Sequence, residues 1–176
     1  NITVILISHK SKKKILSFIK NFSNKINIII IENSGDQTIK EEIDKTNKKI
    51  RLIFSENNGY GSGINLARKY VKTDYFIAFN PDVKNINEEV LEKFFNIGKK
   101  LNDTYACIGP RYLNIPKKTL IQSNENKEID ILPSISGAVM FFNKKNFDLI
   151  GGFDENIFLY FEETDYCLRA KKKGLK

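Results

Sequence analysis

Apolar positions along the chain fall into short unbroken runs that alternate with stretches in which they recur every three or four residues. Residues 2–7, 26–31, 50–54 and 75–79 are runs rich in branched and aromatic side chains, the composition of strands. The second is apolar at nearly every position, as a strand covered on both faces of a parallel sheet must be. Between the runs, Ile15, Phe18, Ile19 and Phe22 keep a helical step behind Ser11, a candidate N-cap. Ile39 and Ile43 mark a polar helix over residues 38–49, and Ile64, Ala67, Arg68 and Val71 mark a third helix. Val90, Leu91, Phe94, Phe95 and Leu101 form the apolar face of a helix over about 87–101, with Asn85 or Asn87 as its cap and Glu88 and Glu89 complementing its dipole. Strand and helix units repeated with short links predict an α/β fold with a doubly wound, mostly parallel sheet through about residue 100.

The pattern then changes. Residues 106–109 and 119–122 read as short strands joined by 110–118, and the polar stretch 123–131 as a surface loop. Residues 136–142 read as a strand entered through Gly137, and 144–150 as a short helix stopped by Gly151 and Gly152. A last helix opens on Glu162, Glu163 and Asp165, three carboxylates within four positions. No internal repeat or low-complexity linker marks a boundary, and 176 residues suffice for one core, so a single globular domain is expected.

Composition narrows the function classes. The chain is 41% hydrophobic and 28% charged with a formal charge of +8, but its lysines are spread among asparagines and isoleucines along the whole length. The denser runs, 10–14 and 171–176, suit solvated helix faces first, an anionic membrane surface or substrate second, and nucleic acid third, for which no aromatic-interleaved basic motif speaks. No apolar run approaches the roughly 20 residues of a bilayer span, and no export leader is visible, so the expected segment is soluble. Cys107 and Cys167 are too few and too distant along the chain for a disulfide framework or a zinc site, and each is expected to pack as a small hydrophobe in a reducing compartment. His9, the single histidine, has no spacing that argues for a serine triad.

Carboxylates at strand ends carry the candidate chemistry. The run 75–79 stops at Asn80, Pro81 and Asp82, and the second strand ends at Glu32, Asn33, Ser34, Gly35 and Asp36; ligands of open α/β sheets bind at such ends. A single aspartate there is also an ordinary turn residue or helix cap. The turn Asn57, Asn58, Gly59, Tyr60, Gly61, Ser62, Gly63 can aim backbone N–H groups at a phosphate, but Ile64 and Asn65 stand where a dinucleotide fingerprint needs glycine, and no Gly-Lys-Ser/Thr closes a Walker motif. Close packing and positive φ angles account for these glycines equally well. The acids at 162, 163 and 165 suit a helix N-terminus, and the apolar runs beside them favour a cleft in which like charges raise one another's pKa and create a base.

Four motifs in the same order, Asn80-Pro81-Asp82, Ser136-Gly137-Ala138, Gly152-Phe153-Asp154-Glu155 and Glu162-Glu163-Thr164-Asp165 with Arg169, resemble the family 2 glycosyltransferases of the GT-A (Rossmann-like) fold, especially the rhamnosyltransferase-like branch. The resemblance runs over nearly the whole chain. It implies a mostly parallel central sheet flanked by helices, with a nucleotide-sugar half over about 1–100 and a small mixed-sheet acceptor and catalytic half over about 101–176.

By that resemblance, Ile7, Ser8 and Glu32 hold the nucleobase, with Glu32 replacing the commoner aspartate, and Asn58 and Gly59 lie near the nucleoside. The donor is a nucleotide-diphosphate sugar of the dTDP or UDP type. The family's Asp-x-Asp metal motif stands here as Asn80, Pro81, Asp82, so Asp82 alone is left to bind Mg²⁺ or Mn²⁺ together with the pyrophosphate. The inverting base matches Glu163, one methylene longer than the usual aspartate, which leaves Glu162 and Asp165 as competitors, and Gly137 borders the acceptor pocket. The acceptor is a glycan or a lipid-linked glycan of a surface polysaccharide, and the location cytoplasmic, with peripheral contact at the inner membrane face. Relatives usually continue beyond the helix at which this chain ends, so a longer protein is expected. Two other classes stay open: a GT-A domain that binds a nucleotide without turnover, which any metal-dependent transfer would exclude, and a basic nucleic-acid-binding domain, which would need steeply salt-dependent binding.

Overall fold

The computed structural model describes residues 1–112, 123–124 and 126–176; the strand expected over 119–122 and most of the connection before it lie outside the described residues. Five strands form one sheet, β1 (Ile2–Ser8), β2 (Asn27–Glu32), β3 (Lys49–Phe54), β4 (Tyr75–Phe79) and β5 (Val139–Asn143), in the order β3-β2-β1-β4-β5. The first four are parallel and β5 runs antiparallel against β4, with Phe79 opposite Val139. Six helices accompany them: α1 (Lys12–Ile19), α2 (Thr38–Asp44), α3 (Tyr60–Arg68), α4 (Glu88–Lys100), α5 (Lys144–Ile150) and α6 (Glu162–Lys172).

Alternate residues of each central strand enter opposite cores. Val4, Leu6, Ile28, Ile30, Ile77, Phe79 and Phe141 pack against α1, α2 and α4, whereas Ile5, Ile7, Ile29, Ile31, Phe76, Ala78, Met140 and Phe142 pack against α3, α5 and α6. A strand sandwiched in this way loses no apolar side chain to water, which is why β2 and β4 read as unbroken apolar runs. Phe142 joins the second layer through ring contacts with Phe76, Phe147, Phe153 and Tyr166 at 4.9–6.1 Å between centroids.

The strand order reverses between β1 and β4, since the chain builds outward through β2 and β3 and then returns to the other side of β1. At such a switch point the connections after neighbouring strands diverge and leave a crevice at the carboxyl ends. Ser8 ends β1 beside it, and Asn80 to Asp82 follow β4.

Several boundaries differ from expectation for local reasons. Asn87 caps α4, its Oδ1 accepting from the Val90 amide at 3.1 Å, but the Ser11 hydroxyl turns to the Ser8 hydroxyl and leaves α1 without a side-chain cap. Helix α2 stops at Asp44, where the Thr46 hydroxyl takes the Ile43 carbonyl and no later apolar residue keeps the helical step. Residues 106–109 do not form a strand: Ile108 makes a single antiparallel bridge to Phe141. The glycine-rich segment is mostly helix, with α3 beginning at Tyr60 so that Gly61 packs on Phe153 and Gly63 on Ile7. Only Gly59, at φ +97°, needs the conformational freedom of glycine there.

Candidate active site at the carboxyl edge of the sheet

Two groups of polar side chains lie along this edge. The first joins the ends of β1, β2 and β3. Ser8 and Glu32 are register partners, both buried, and the Asn33 amide donates to the Ser8 carbonyl at 2.9 Å. Glu32 Oε1 accepts from the Ser34 amide at 2.7 Å and from the Ser34 hydroxyl, while Oε2 is enclosed without a hydrogen-bond partner among the described residues. A carboxylate oxygen shut in without a donor is costly, and the cost is relieved by any N–H that reaches it. Asn33 Nδ2 donates to Asn57 Oδ1 at 3.1 Å, His9 Nδ1 lies 3.1 Å from Asn33 Oδ1, and the Gly59 amide donates to Asn57 Oδ1 at 3.3 Å. The His9, Asn33 and Asn57 side chains thus tie the three strand ends to the turn that carries Asn58 and Gly59. Asn58 itself is exposed.

The second group surrounds the start of α6. Tyr60, at the first position of α3, donates its hydroxyl to the Gly137 carbonyl at 2.9 Å, and its amide donates to the Phe158 carbonyl at 3.2 Å. A Cβ on Gly59 would overlap that carbonyl, so glycine is what lets the start of α3 meet the loop before α6. Burial, and then the charges of Glu162 and Glu163, push the Tyr60 hydroxyl far above its usual range, which keeps it a neutral donor. Across the crevice the Asn80 amide donates to the Ala138 carbonyl at 2.9 Å, and Ser134 Oγ meets Thr164 Oγ1 at 3.1 Å. Asn80, the 136–138 segment, Tyr60 and the acids of α6 therefore form one continuous rim.

The three acids of α6 have different surroundings. Glu162 is 4% exposed with Oε2 unpartnered among the described residues, and burial, reinforced by the Glu163 charge, raises its pKa although its own backbone N–H opposes the shift. Asp165 is engaged by Arg169 Nε at 2.7 Å, and the same guanidinium donates to the carbonyls of Ile150 (3.1 Å) and Gly152 (2.7 Å). A carboxylate clamped in this way positions a turn. Glu163 is half-buried, and no hydrogen bond or ion pair among the described residues holds its side chain. Tyr160 and Phe161 precede the three at φ +66° and +68°, left-handed angles that cost non-glycine residues free energy and aim the first turn of α6 at the rim.

Asp82, two residues beyond Asn80, is 60% exposed, with Lys14 Nζ at 3.4 Å from Oδ2. No three acidic, histidine or cysteine side chains among the described residues are placed to hold a metal ion together, so any cation at this edge would take most of its ligands from a bound molecule. An open cavity of about 580 Å³ adjoins Asp82's partner Lys14, lined by Lys10, Ser11, Lys12, Lys13, Lys14, Ser34, Gly35 and Asp36. No helix among the described residues is long and apolar enough to cross a membrane.

This geometry can be set beside known proteins. The family model for glycosyl transferase family 2 matches residues 3–158. The chain belongs to that family. It is 27% identical to the low-salt glycan biosynthesis hexosyltransferase Agl10 of Haloferax volcanii, over 67% of this chain and 45% of that protein. Among solved structures it resembles the mannosyltransferase PcManGT of Pyrobaculum calidifontis in complex with GDP-Man and Mn²⁺, with TM-score 0.75, 11% identity and coverage of 99% of this chain and 53% of the other. It also resembles residues 1–349 of S. aureus TarS in complex with UDP-GlcNAc, with TM-score 0.69, 16% identity and coverage of 97% and 53%. These likenesses establish the GT-A fold, and the chain spans about half the length of the relatives it matches.

Within that family setting, Asn80, Gly137, Glu162 and Glu163 belong to one rim and Ser8, Glu32 and Gly59 to the adjoining strand ends. The sequence reading passed over the side-chain contacts of four polar residues of the same edge: His9, Asn33, Asn57 and Tyr60. Each is unremarkable in sequence, and only the strand order brings them together.

Proposed function

We propose that this family 2 chain is the donor-binding and catalytic unit of an inverting glycosyltransferase, moving a sugar from a nucleotide diphosphate to a hydroxyl of a glycan or lipid-linked acceptor. The observation that carries the reading is the rim itself. Asn80, two residues before Asp82, is joined through Ala138, Gly137 and Tyr60 to the side of the edge where Glu162 and Glu163 begin α6, at the switch point of the sheet. The hexosyltransferase name of the Haloferax relative and the nucleotide sugars bound to the two structural neighbours support a donor of this class.

In this reading the nucleobase lies against Ser8 and Glu32, where the unpartnered Oε2 accepts from a ring N–H. The nucleoside passes Asn58 and Gly59, and the diphosphate reaches Asn80 and Asp82. Asp82 fits a hard divalent cation, since its carboxylate is open and its only partner among the described residues is a surface lysine. Mg²⁺ or Mn²⁺ held there with diphosphate oxygens would neutralise charge on the departing group. Glu163 accepts the proton of the acceptor hydroxyl as that oxygen attacks the anomeric carbon; the bond to the diphosphate oxygen breaks on the opposite face, and the configuration inverts. Buried Glu162 and clamped Asp165 leave Glu163 as the carboxylate free to do this. Such a base contributes about 10²–10⁴-fold in rate.

Calorimetric titration with UDP, dTDP and GDP, each with and without Mn²⁺, tests the donor side. Binding of one nucleotide that tightens with Mn²⁺ and loses that gain in Asp82→Ala is the expected result. Binding indifferent to both metal and Asp82 would remove Asp82 from the site.

A further inference from the structure

Cys107 and Cys167 are separated by sixty residues, yet their sulfurs stand 3.8 Å apart. Each packs against the second apolar layer as a small hydrophobe would, and Tyr166, in the turn of α6 that carries Cys167, donates its hydroxyl to the Ala106 carbonyl at 3.3 Å and draws the two segments together. Both thiols are half-buried and free. Each sits on a fixed backbone. Ile108 bridges Phe141 on one side of Cys107, the Ala106 amide donates to the Lys176 carbonyl at 2.6 Å on the other, and Cys167 lies mid-helix one turn after Glu163.

We infer that Cys107 and Cys167 form a redox-active dithiol that closes into an intramolecular disulfide by exchange with a small-molecule disulfide, fixing α6 to the segment beside β5. Sulfurs in van der Waals contact need to approach by somewhat less than 2 Å to reach the bond length of about 2.05 Å, a movement within reach of side-chain rotation and a small helix shift. Either sulfur can donate in the contact between them, and the exchange begins at whichever thiol loses its proton first, as here at Cys167. The Cys167 thiolate attacks one sulfur of the small disulfide, whose S–S bond breaks and releases one thiolate that takes up a proton. Cys107 then loses its proton and attacks Cys167 Sγ in the mixed disulfide, expelling the second small thiolate. The protein gives up two electrons and two protons, and one small disulfide becomes two thiols.

The consequence for sugar transfer rests on the proposed role of Glu163, four residues before Cys167; the thiol chemistry does not. The test equilibrates the chain in buffers of reduced and oxidised glutathione, quenches with an alkylating reagent and maps the peptides, with transfer measured on the same samples. The expected result is a linked 107–167 peptide in the monomer, absent in Cys107→Ser and in Cys167→Ser, a Tm raised by roughly 5 °C or more, and a transfer rate that changes reversibly with oxidation in the unsubstituted chain alone. Absence of the linked peptide at every glutathione ratio, or only mixed disulfides and cross-linked dimers, overturns the dithiol. A linked peptide with unchanged transfer overturns the coupling to α6. A linked peptide in a chain that transfers no sugar in either state upholds the dithiol and counts against the catalytic reading.

Discussion

Residues 1–100 return to the sheet at every turn, contributing four parallel strands and the helices that cover both of their faces, whereas residues 101–176 contribute one strand among those described. The difference extends to the surface. Of the large apolar side chains left exposed, Tyr70 alone belongs to the first half, and Phe158, Leu159, Tyr160 and Phe161 form a continuous exposed run just before the acids of α6. The first half is held mainly by burial of its strands between two layers of helices. The second is held by a few specific contacts: the Phe142 ring cluster, the Arg169 clamp, the Tyr60 bridge and the Asn65 side chain, which binds both the amide and the carbonyl of Phe153 at 2.9 Å. The parallel-sheet half and the half that carries α6 are thus stabilised by different physics. Substitutions should separate them.

The largest effect is expected where the halves meet. Phe142→Ala empties a fully buried site ringed by Phe76, Phe147, Phe153 and Tyr166 and should cost about 3–5 kcal/mol in urea unfolding. An effect below ~1 kcal/mol would mean that the second aromatic layer is not packed as described. Next comes Gly59→Ala, which forces a side chain into a left-handed position against the Phe158 carbonyl and should cost about 2 kcal/mol or more. Its mark is a loss of nucleotide affinity alongside stability, because the same turn borders the proposed nucleoside site.

Glu162→Gln should act in the opposite direction. A carboxyl whose folded pKa lies above its ordinary value of 4.5 stabilises the fold fully below that value and loses its contribution as pH rises through the folded pKa. The amide removes that dependence, so unfolding measured against pH should flatten above 4.5, with roughly 1 kcal/mol gained at neutral pH. The smallest effect is expected for Lys14→Ala, which frees an exposed Asp82 from a pair worth at most about 1 kcal/mol and should strengthen Mn²⁺-dependent nucleotide binding by a few-fold. Weaker binding would show instead that Lys14 contacts the diphosphate directly.

The two halves were also unequally legible in the sequence. Apolar runs at 26–31 and 75–79 mark strands because a doubly covered strand tolerates no polar residue, and Asn87 marks a helix start because its oxygen replaces a missing backbone acceptor. The stretch 106–109 resembled a strand in composition, but only Ile108 finds a partner, since pairing is set by what lies opposite and not by the residues themselves. The acids at 162, 163 and 165 were visible as a group. Their division into a buried, a clamped and a free carboxylate depends on Gly61, Phe153 and Arg169, which no local pattern relates to them. Tyr60 and the sulfur pair were missed for the same reason: their partners are 77 and 60 residues away.

The central claim is that Glu163 is the proton acceptor of a sugar transfer at this rim. It is tested most directly by comparing Glu163→Gln with Glu162→Gln and the unsubstituted chain, following single-turnover transfer from the nucleotide sugar that binds and the affinity for the corresponding nucleoside diphosphate. The account predicts that Glu163→Gln lowers transfer by about 10²–10⁴-fold with nucleotide affinity unchanged, while Glu162→Gln retains most of the rate; full turnover in Glu163→Gln would contradict it.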